Sequence, residues 1–247
     1  MQVIKIGGHE LTKEQNLERL SDNISAMSEP AVIVHGGGGA IADMQARLGL
    51  EAIKVDGLRV TDAGTLDVSQ MVLSGRVNKA IVAALLSAGV DAAGISGVDG
   101  GLLRCVKKKH PQADLGYVGE IVEVRPVIIE ALIARGLTPV VSPISLGADG
   151  QVYNVNADEA AAALAAALKA KMLSFISDVP AVFDRDQQPL SALTSSQTEI
   201  LIRNGVIDGG MVPKVRAALE VIERGVPRAR IVNLSGFSNG SGTTFRP

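Results

Sequence analysis

The chain has no tryptophan, only two tyrosines and only four phenylalanines among 247 residues. Tyr117, Tyr153, Phe175, Phe183, Phe237 and Phe245 leave the filling of a core to Val, Ile, Leu and Ala, a composition that suits buried parallel strands covered by helices. A single cysteine, Cys105, excludes an internal disulfide and fits a reducing compartment. It sits in an apolar stretch without a neighbouring histidine and reads as core filling. An excess of one charge is also missing. Lysine and arginine number 24 against 26 acidic residues, so there is no basic surface of the kind that binds nucleic-acid phosphates nonspecifically. The one basic run, Lys107 to Lys109, reads as a solvated turn. The longest apolar run, around Ala160 to Leu168, is bounded by Asp158, Glu159 and Lys169 and is too short to span a bilayer. The opening MQVIKI reads as a strand, not as a leader peptide, and a cytoplasmic protein is expected. Three histidines show no metal-ligand spacing, and no Ser-His-Asp or Cys-His arrangement is visible.

What is present is a 47% apolar share, enough for a sizeable core, and a regular alternation of short Val/Ile-rich runs with longer helical patterns. Strands are expected over Val3 to Ile6, Ala31 to His35, Ala92 to Ser96, Pro139 to Ser142, Leu173 to Ser177 and Ala229 to Leu234. Helices are expected from about Thr12 and through Leu48. The alternation implies βαβ units and a mainly parallel α/β sheet. Thr12 with Gln15, and Asn156 with Glu159, have capping-box spacing. Between Leu103 and Val124 the pattern breaks into a hairpin excursion. The αβ pattern restarts near Lys171, which makes two lobes plausible.

Three strand ends carry glycine or small polar residues: Gly7-Gly8, Gly36 to Gly39 and Ser177-Asp178. Ligands of open parallel sheets bind at the carboxyl ends of strands, so these loops are expected to share one crevice. Glycine lets backbone N–H groups approach an anion, and a following helix N-terminus favours negative charge; the bland reading is a flexible turn. The run has neither a Walker ending nor a dinucleotide-fold context. Lys5 inside a strand needs an anionic partner or an exit to solvent. Lys214 follows the glycine-rich DGGMVPK and opens a helix, where a cation opposes the helix dipole unless an anion is bound nearby. Asp158 in YNVNAD has the reach to hold two ammonium groups, with simple capping as the alternative. Arg59 in GLRVTD suits bidentate carboxylate recognition, with a surface salt bridge to Asp62 as the alternative.

The ordered set VIKIGG, VHGGGG, GLRVTD, MVLSGRVNK, GISGVDGGLL, GYVGE, PVVSPI, YNVNAD, ISDVPAVF and GVIDGGMVPKV resembles the amino acid kinase family from about residue 3 to residue 216. The resemblance implies a three-layer αβα sandwich of two lobes. Residues 1–170 would serve acceptor binding and dimerisation, and residues 171–247 ATP binding. It implies a homodimer that phosphorylates the side-chain carboxylate of N-acetyl-L-glutamate with ATP, Mg²⁺ arriving with the nucleotide and no metal held by side chains. By the same resemblance, Lys5 and Lys214 stabilise charge on the transferring phosphoryl group and Asp158 orients both. Gly37 and Gly38 offer backbone amides to the acceptor and the γ-phosphate, and Arg59 with Asn154 holds the acceptor carboxylate that is not phosphorylated. Gly7, Gly8, Asp178, Val179, Phe183, Val206, Ile207 and Asp208 would face ATP.

Three features depart from the family pattern. His9 follows the first glycine pair where a small residue is usual. The C-terminal NLSGFSNGSGTTF is short, and no extra helix precedes the first strand, so arginine inhibition by that route is not expected. A kinase of carrier-protein-linked aminoadipate remains an alternative, although YNVNAD and the uninterrupted GLRVTD favour acetylglutamate. A non-catalytic sensor is a further alternative, which should have lost one of Lys5, Asp158 and Lys214.

Overall fold

In the computed structural model, which describes residues 1–12 and 14–247, the Val/Ile runs become the strands of one sheet. Its members are β1 (Gln2–Ile6), β2 (Ala31–His35), β3 (Ala92–Ser96), β4 (Thr138–Ser142), β5 (Leu173–Ile176), β6 (Ala192–Thr194), β7 (Ala229–Val232) and β8 (Thr243–Arg246). Their spatial order is β6-β8-β7-β5-β1-β2-β4-β3. The six strands from β3 to β7 in that order are mutually parallel. Strand β8 lies antiparallel to β7, and β6 runs parallel to β8. The restart near Lys171 continues the same sheet, because Leu173 to Ile176 pairs with Val3 to Ile6.

Strand residues alternate between faces, and both faces are covered. Ile4, Ile6 and Ile33 pack with buried residues of α1 (Glu14–Ser25), α2 (Gly38–Arg47), α3 (Ala63–Gln70) and α4 (Asn78–Ser87). Val3, Val32 and Val34 pack with α5 (Val127–Ala134), α6 (Ala157–Ala167) and α8 (Met211–Glu223), while α7 (Ser195–Arg203) lies against α8. The result is the expected αβα sandwich. Burying each such Val or Ile side chain is worth about 1.5–3 kcal/mol, so the alternation fixes which face Lys5 takes: it follows Val3 toward α6.

The excursion is a hairpin of Leu103–Lys107 and Gly119–Val124, widened to a four-stranded sheet by Ile144–Gly147 and Val152–Asn154. Cys105 is fully buried there, and burial, with Asp149 and Glu159 adding to it, pushes its thiol up to about 12, so it remains protonated filling. The lysine run departs from the solvated turn expected of it. Lys107 pairs with exposed Asp114, and Lys108 folds inward onto Glu159 at 3.0 Å, because the hairpin crosses the start of α6.

Asn156 caps α6, its Oδ1 accepting from the N–H of Asp158 (2.8 Å) and of Glu159 (3.3 Å), worth about 1 kcal/mol. Glu159 does not complete a capping box, since its carboxylate is taken by Lys108. The side chain of Thr12, the other expected cap, lies outside the described residues. Two strands stop short of their expected ends. Ser177 leaves the sheet, and Asn233 turns the chain by accepting the Gly236 N–H at 2.8 Å, which opens the short α9 (Leu234–Phe237). Among the described residues, no helix is long and apolar enough to cross a membrane.

Candidate active site

The glycine ends of β1 and β2 meet backbone to backbone. A Cβ on Gly8 would fall 2.6 Å from Cα and N of Gly37 and 2.9 Å from N of Gly38, closer than any side chain can stand. On its other side Gly37 faces Leu73, which belongs to a π-helical turn (Met71–Val77) between α3 and α4; a Cβ on Gly37 would lie 2.5 Å from Leu73 Cδ2. Such turns recur at functional sites because the wider spacing re-aims side chains. Gly38 and Gly39 open α2 with no side-chain cap, so first-turn N–H groups at this end have no capping side chain.

His35 sets the loop from below. It is fully buried, with Nδ1 3.1 Å from the Gly36 carbonyl and Nε2 3.2 Å from the Asn78 amide nitrogen. A carbonyl only accepts, so Nδ1 carries the proton and Nε2 accepts from Asn78, which also donates to the Val140 carbonyl at 2.9 Å. Burial pushes the imidazole down to about 4. The unfolded chain takes up this proton below about 6.5 and the folded chain does so only near 4, so stability is complete above 6.5 and falls as pH drops through that window. Between pH 7 and pH 5 this one group should cost about 2 kcal/mol. Urea unfolding at both pH values should show that loss in the native chain and a smaller one in His35→Gln; equal losses would remove His35 as the titrating group.

A cavity of about 250 Å³ opens over these loops, and its lining brings together Lys5, Gly8, Gly37, Gly38, Arg59, Asn154 and Asp158. Lys5 Nζ lies 2.8 Å from Asp158 Oδ1 in the first turn of α6, where the dipole favours a carboxylate. The segment carrying Arg59 is held by the second sheet: Tyr117 N–H donates to Thr61 O at 2.6 Å, Asn154 N–H donates to Tyr117 O at 2.9 Å, and the Asn154 side-chain amide donates to Thr61 Oγ1 at 3.3 Å. Arg59 makes no salt bridge to Asp62, which instead caps α3 by accepting the Thr65 N–H at 2.7 Å. Its guanidinium donates to Gln45 Oε1 and, at 2.8 Å, to the Gly38 carbonyl.

Lys214 sits in the first turn of α8, after Gly210 as a cap without a side chain. Its partner is Asp178 Oδ1 at 2.7 Å, not Asp158, and that hydrogen bond holds the Asp178 carboxyl below its ordinary value, with a smaller pull from His9. Lys5, Asp158 and Lys214 nonetheless line one smaller cavity of about 80 Å³ with Phe175 and Ser177. Gly7 donates its N–H to the Ile176 carbonyl and so fastens the first loop to β5. Val179, Phe183, Val206, Ile207 and Asp208 lie outside both cavities on the C-terminal side. Val179 N–H donates to Ser177 Oγ, Phe183 pairs with Pro189, and the N–H groups of Val206 and Ile207 donate to the Leu201 carbonyl. Sequence reasoning missed Gln45, Leu73, Val118 and Pro143; only the spacing of Gln45 from Ile41, one helical turn, hinted that it faces inward.

The pattern described as the Amino acid kinase family matches residues 1–233. A protein of Chloroflexus aurantiacus named acetylglutamate kinase is 49% identical over 98% of this chain and 95% of its own length. One of the same name from Methanopyrus kandleri is 44% identical over the whole of both chains. The crystal structure of smu.665 from Streptococcus mutans UA159 superposes with a TM-score of 0.83 at 28% identity, covering 99% of this chain and 98% of the other. From its sheet order to its near-half identity with full-length relatives, the chain belongs to the amino acid kinase family.

Proposed function

We propose that this chain transfers the γ-phosphoryl group of ATP to the side-chain carboxylate of N-acetyl-L-glutamate, giving N-acetyl-L-glutamyl 5-phosphate for arginine biosynthesis. The observation that carries the reading is the convergence of Lys5, Asp158, Gly37, Gly38, Arg59 and Asn154 on one cavity, in a chain whose near-full-length relatives bear the corresponding name.

The acceptor is a carboxylate and already an anion at neutral pH, so no general base is required to make it nucleophilic. The work left to the protein is alignment and neutralisation of charge as it spreads over the phosphoryl oxygens. Gly37 and Gly38 present backbone N–H groups to the phosphoryl and acceptor oxygens. Lys5 and Lys214 flank the transferring group from opposite sides, and Asp158 fixes Lys5. Asp178 anchors Lys214. Arg59 and Asn154 receive the acceptor carboxylate that does not react, which leaves the other one directed at the glycine loops. Gly7 and Gly8 border the phosphates, and Asp178, Val179, Phe183, Val206, Ile207 and Asp208 face the nucleotide. Mg²⁺ comes with ATP. On this reading residues 1–170 hold the acceptor and form the contact of a cytoplasmic homodimer, and residues 171–247 hold ATP.

Hydroxylamine traps an acyl phosphate as a hydroxamate. Incubation with ATP and Mg²⁺ should give hydroxamate from N-acetyl-L-glutamate and little from glutamate, aspartate or N-acetylaspartate. Product from free glutamate but not from its acetylated form would sink the assignment.

A further inference from the structure

Arg59 is nine-tenths buried, yet among the described residues no carboxylate forms an ion pair with it. A buried guanidinium without an anion is costly unless neutral groups solvate it, and here two do: the Gln45 side-chain carbonyl and the Gly38 peptide carbonyl. Of the five N–H donors of arginine these take two, leaving three for whatever enters the cavity. Gln45 is itself 1% exposed on the inner face of α2. Its Nε2 donates to Thr65 Oγ1 at 3.0 Å and to the Glu51 carbonyl at 3.4 Å, so the amide cannot turn over without setting its oxygen against that carbonyl and its NH₂ against the Arg59 guanidinium. Thr65 in turn is tied through its N–H to Asp62 at the start of α3.

We infer that Gln45 is a specificity-determining positioning residue: a neutral clamp that fixes the plane of the Arg59 guanidinium while leaving its charge uncancelled for the acceptor carboxylate. The inference rests on the role proposed for Arg59. A carboxylate at position 45 would orient the fork equally well, but it would consume the charge that attracts the substrate. A side chain without an oxygen would leave the charge and lose the orientation. The amide does both tasks, and it does so from a helix that also presents the glycine amides, which couples the carboxylate subsite to the phosphoryl subsite through the Arg59 bond to Gly38 O.

The test compares Gln45→Glu, Gln45→Met and Arg59→Leu by steady-state kinetics, with folding checked by circular dichroism and thermal unfolding. Gln45→Glu keeps the shape and the bond to Arg59 but gives up the donation to the Glu51 carbonyl, so it should fold with some loss of stability, and it should raise the acceptor KM about tenfold or more with the ATP KM unchanged and kcat within about threefold. Gln45→Met should raise the acceptor KM several-fold, with the ATP KM likewise unchanged. A purely structural role predicts for Gln45→Glu altered stability with an unaltered acceptor KM. An acceptor KM unchanged in Gln45→Glu, or in Gln45→Met should the glutamate variant not fold, overturns the clamp, provided Arg59→Leu raises it. If Arg59→Leu leaves the acceptor KM unchanged, the role of Arg59 itself fails, and the clamp with it.

Discussion

Lys214→Ala should lower kcat by about 10²- to 10³-fold, the equivalent of roughly 3–4 kcal/mol and the scale found when one preorganised donor is removed from developing charge. The acceptor KM should move far less, because Lys214 stands in α8, on the far side of the cleft from Arg59 and Asn154. Stability should hardly change. The ion pair with Asp178 has a lysine 36% exposed and a carboxylate 65% exposed, and such pairs contribute about 0–1 kcal/mol. A folded variant with strongly reduced kcat and a nearly constant acceptor KM therefore separates a transition-state role from a structural one. Unchanged turnover in steady-state assays would remove Lys214 from the chemistry.

The strands of the main sheet were legible because they are buried on both faces and so carry nearly unbroken Val/Ile runs, and their order along the chain with helices between them already implied a parallel sheet. The ends were less so. Leu234 extends the apolar run of β7, but Asn233 competes for the backbone and wins, ending the strand two residues early and starting α9 at Leu234. The strands Ile144–Gly147 and Val152–Asn154 are short; they pair with each other as a local hairpin, but Ile144–Gly147 joins the sheet by pairing with Arg104 and Cys105 some forty positions away, which no local pattern records. In the site, the charged residues stood out because lysine in a strand and arginine among apolar neighbours are locally unfavourable. Gln45 did not, since a single glutamine on a helix looks like surface until α2 and α3 are packed. The π-helical turn at Met71–Val77 has no composition of its own, and the partner of Lys214 lies 36 residues upstream, beyond any spacing rule. Lys108 looked solvated because only the fold brings Glu159 beneath it.

Gly8→Ala should cost the enzyme more than any other single methyl group added at these loops. The neighbours that its Cβ would meet at 2.6 to 2.9 Å are the backbone atoms of Gly37 and Gly38, so no rotamer change relieves the contact and one of the two loops must retreat. Strain in φ is not the issue, as Gly8 does not occupy the left-handed region; the constraint is space alone. A retreat of about 1 Å displaces the amides of Gly37 and Gly38 from the phosphoryl group, and misplacement on that scale costs about 10²-fold in rate. The expected result is a folded protein with kcat/KM for the acceptor reduced about a hundredfold. Gly39→Ala is the contrast: its Cβ would meet nothing within 4 Å, and alanine at a helical position adds up to about 1 kcal/mol of stability. Near-native kinetics in Gly8→Ala would mean that the two loops can part freely and that their close contact does not set the geometry of transfer. A loss in Gly8→Ala with little change in Gly39→Ala would instead show that the glycines serve two loops packed backbone to backbone, and not the flexibility of a single run.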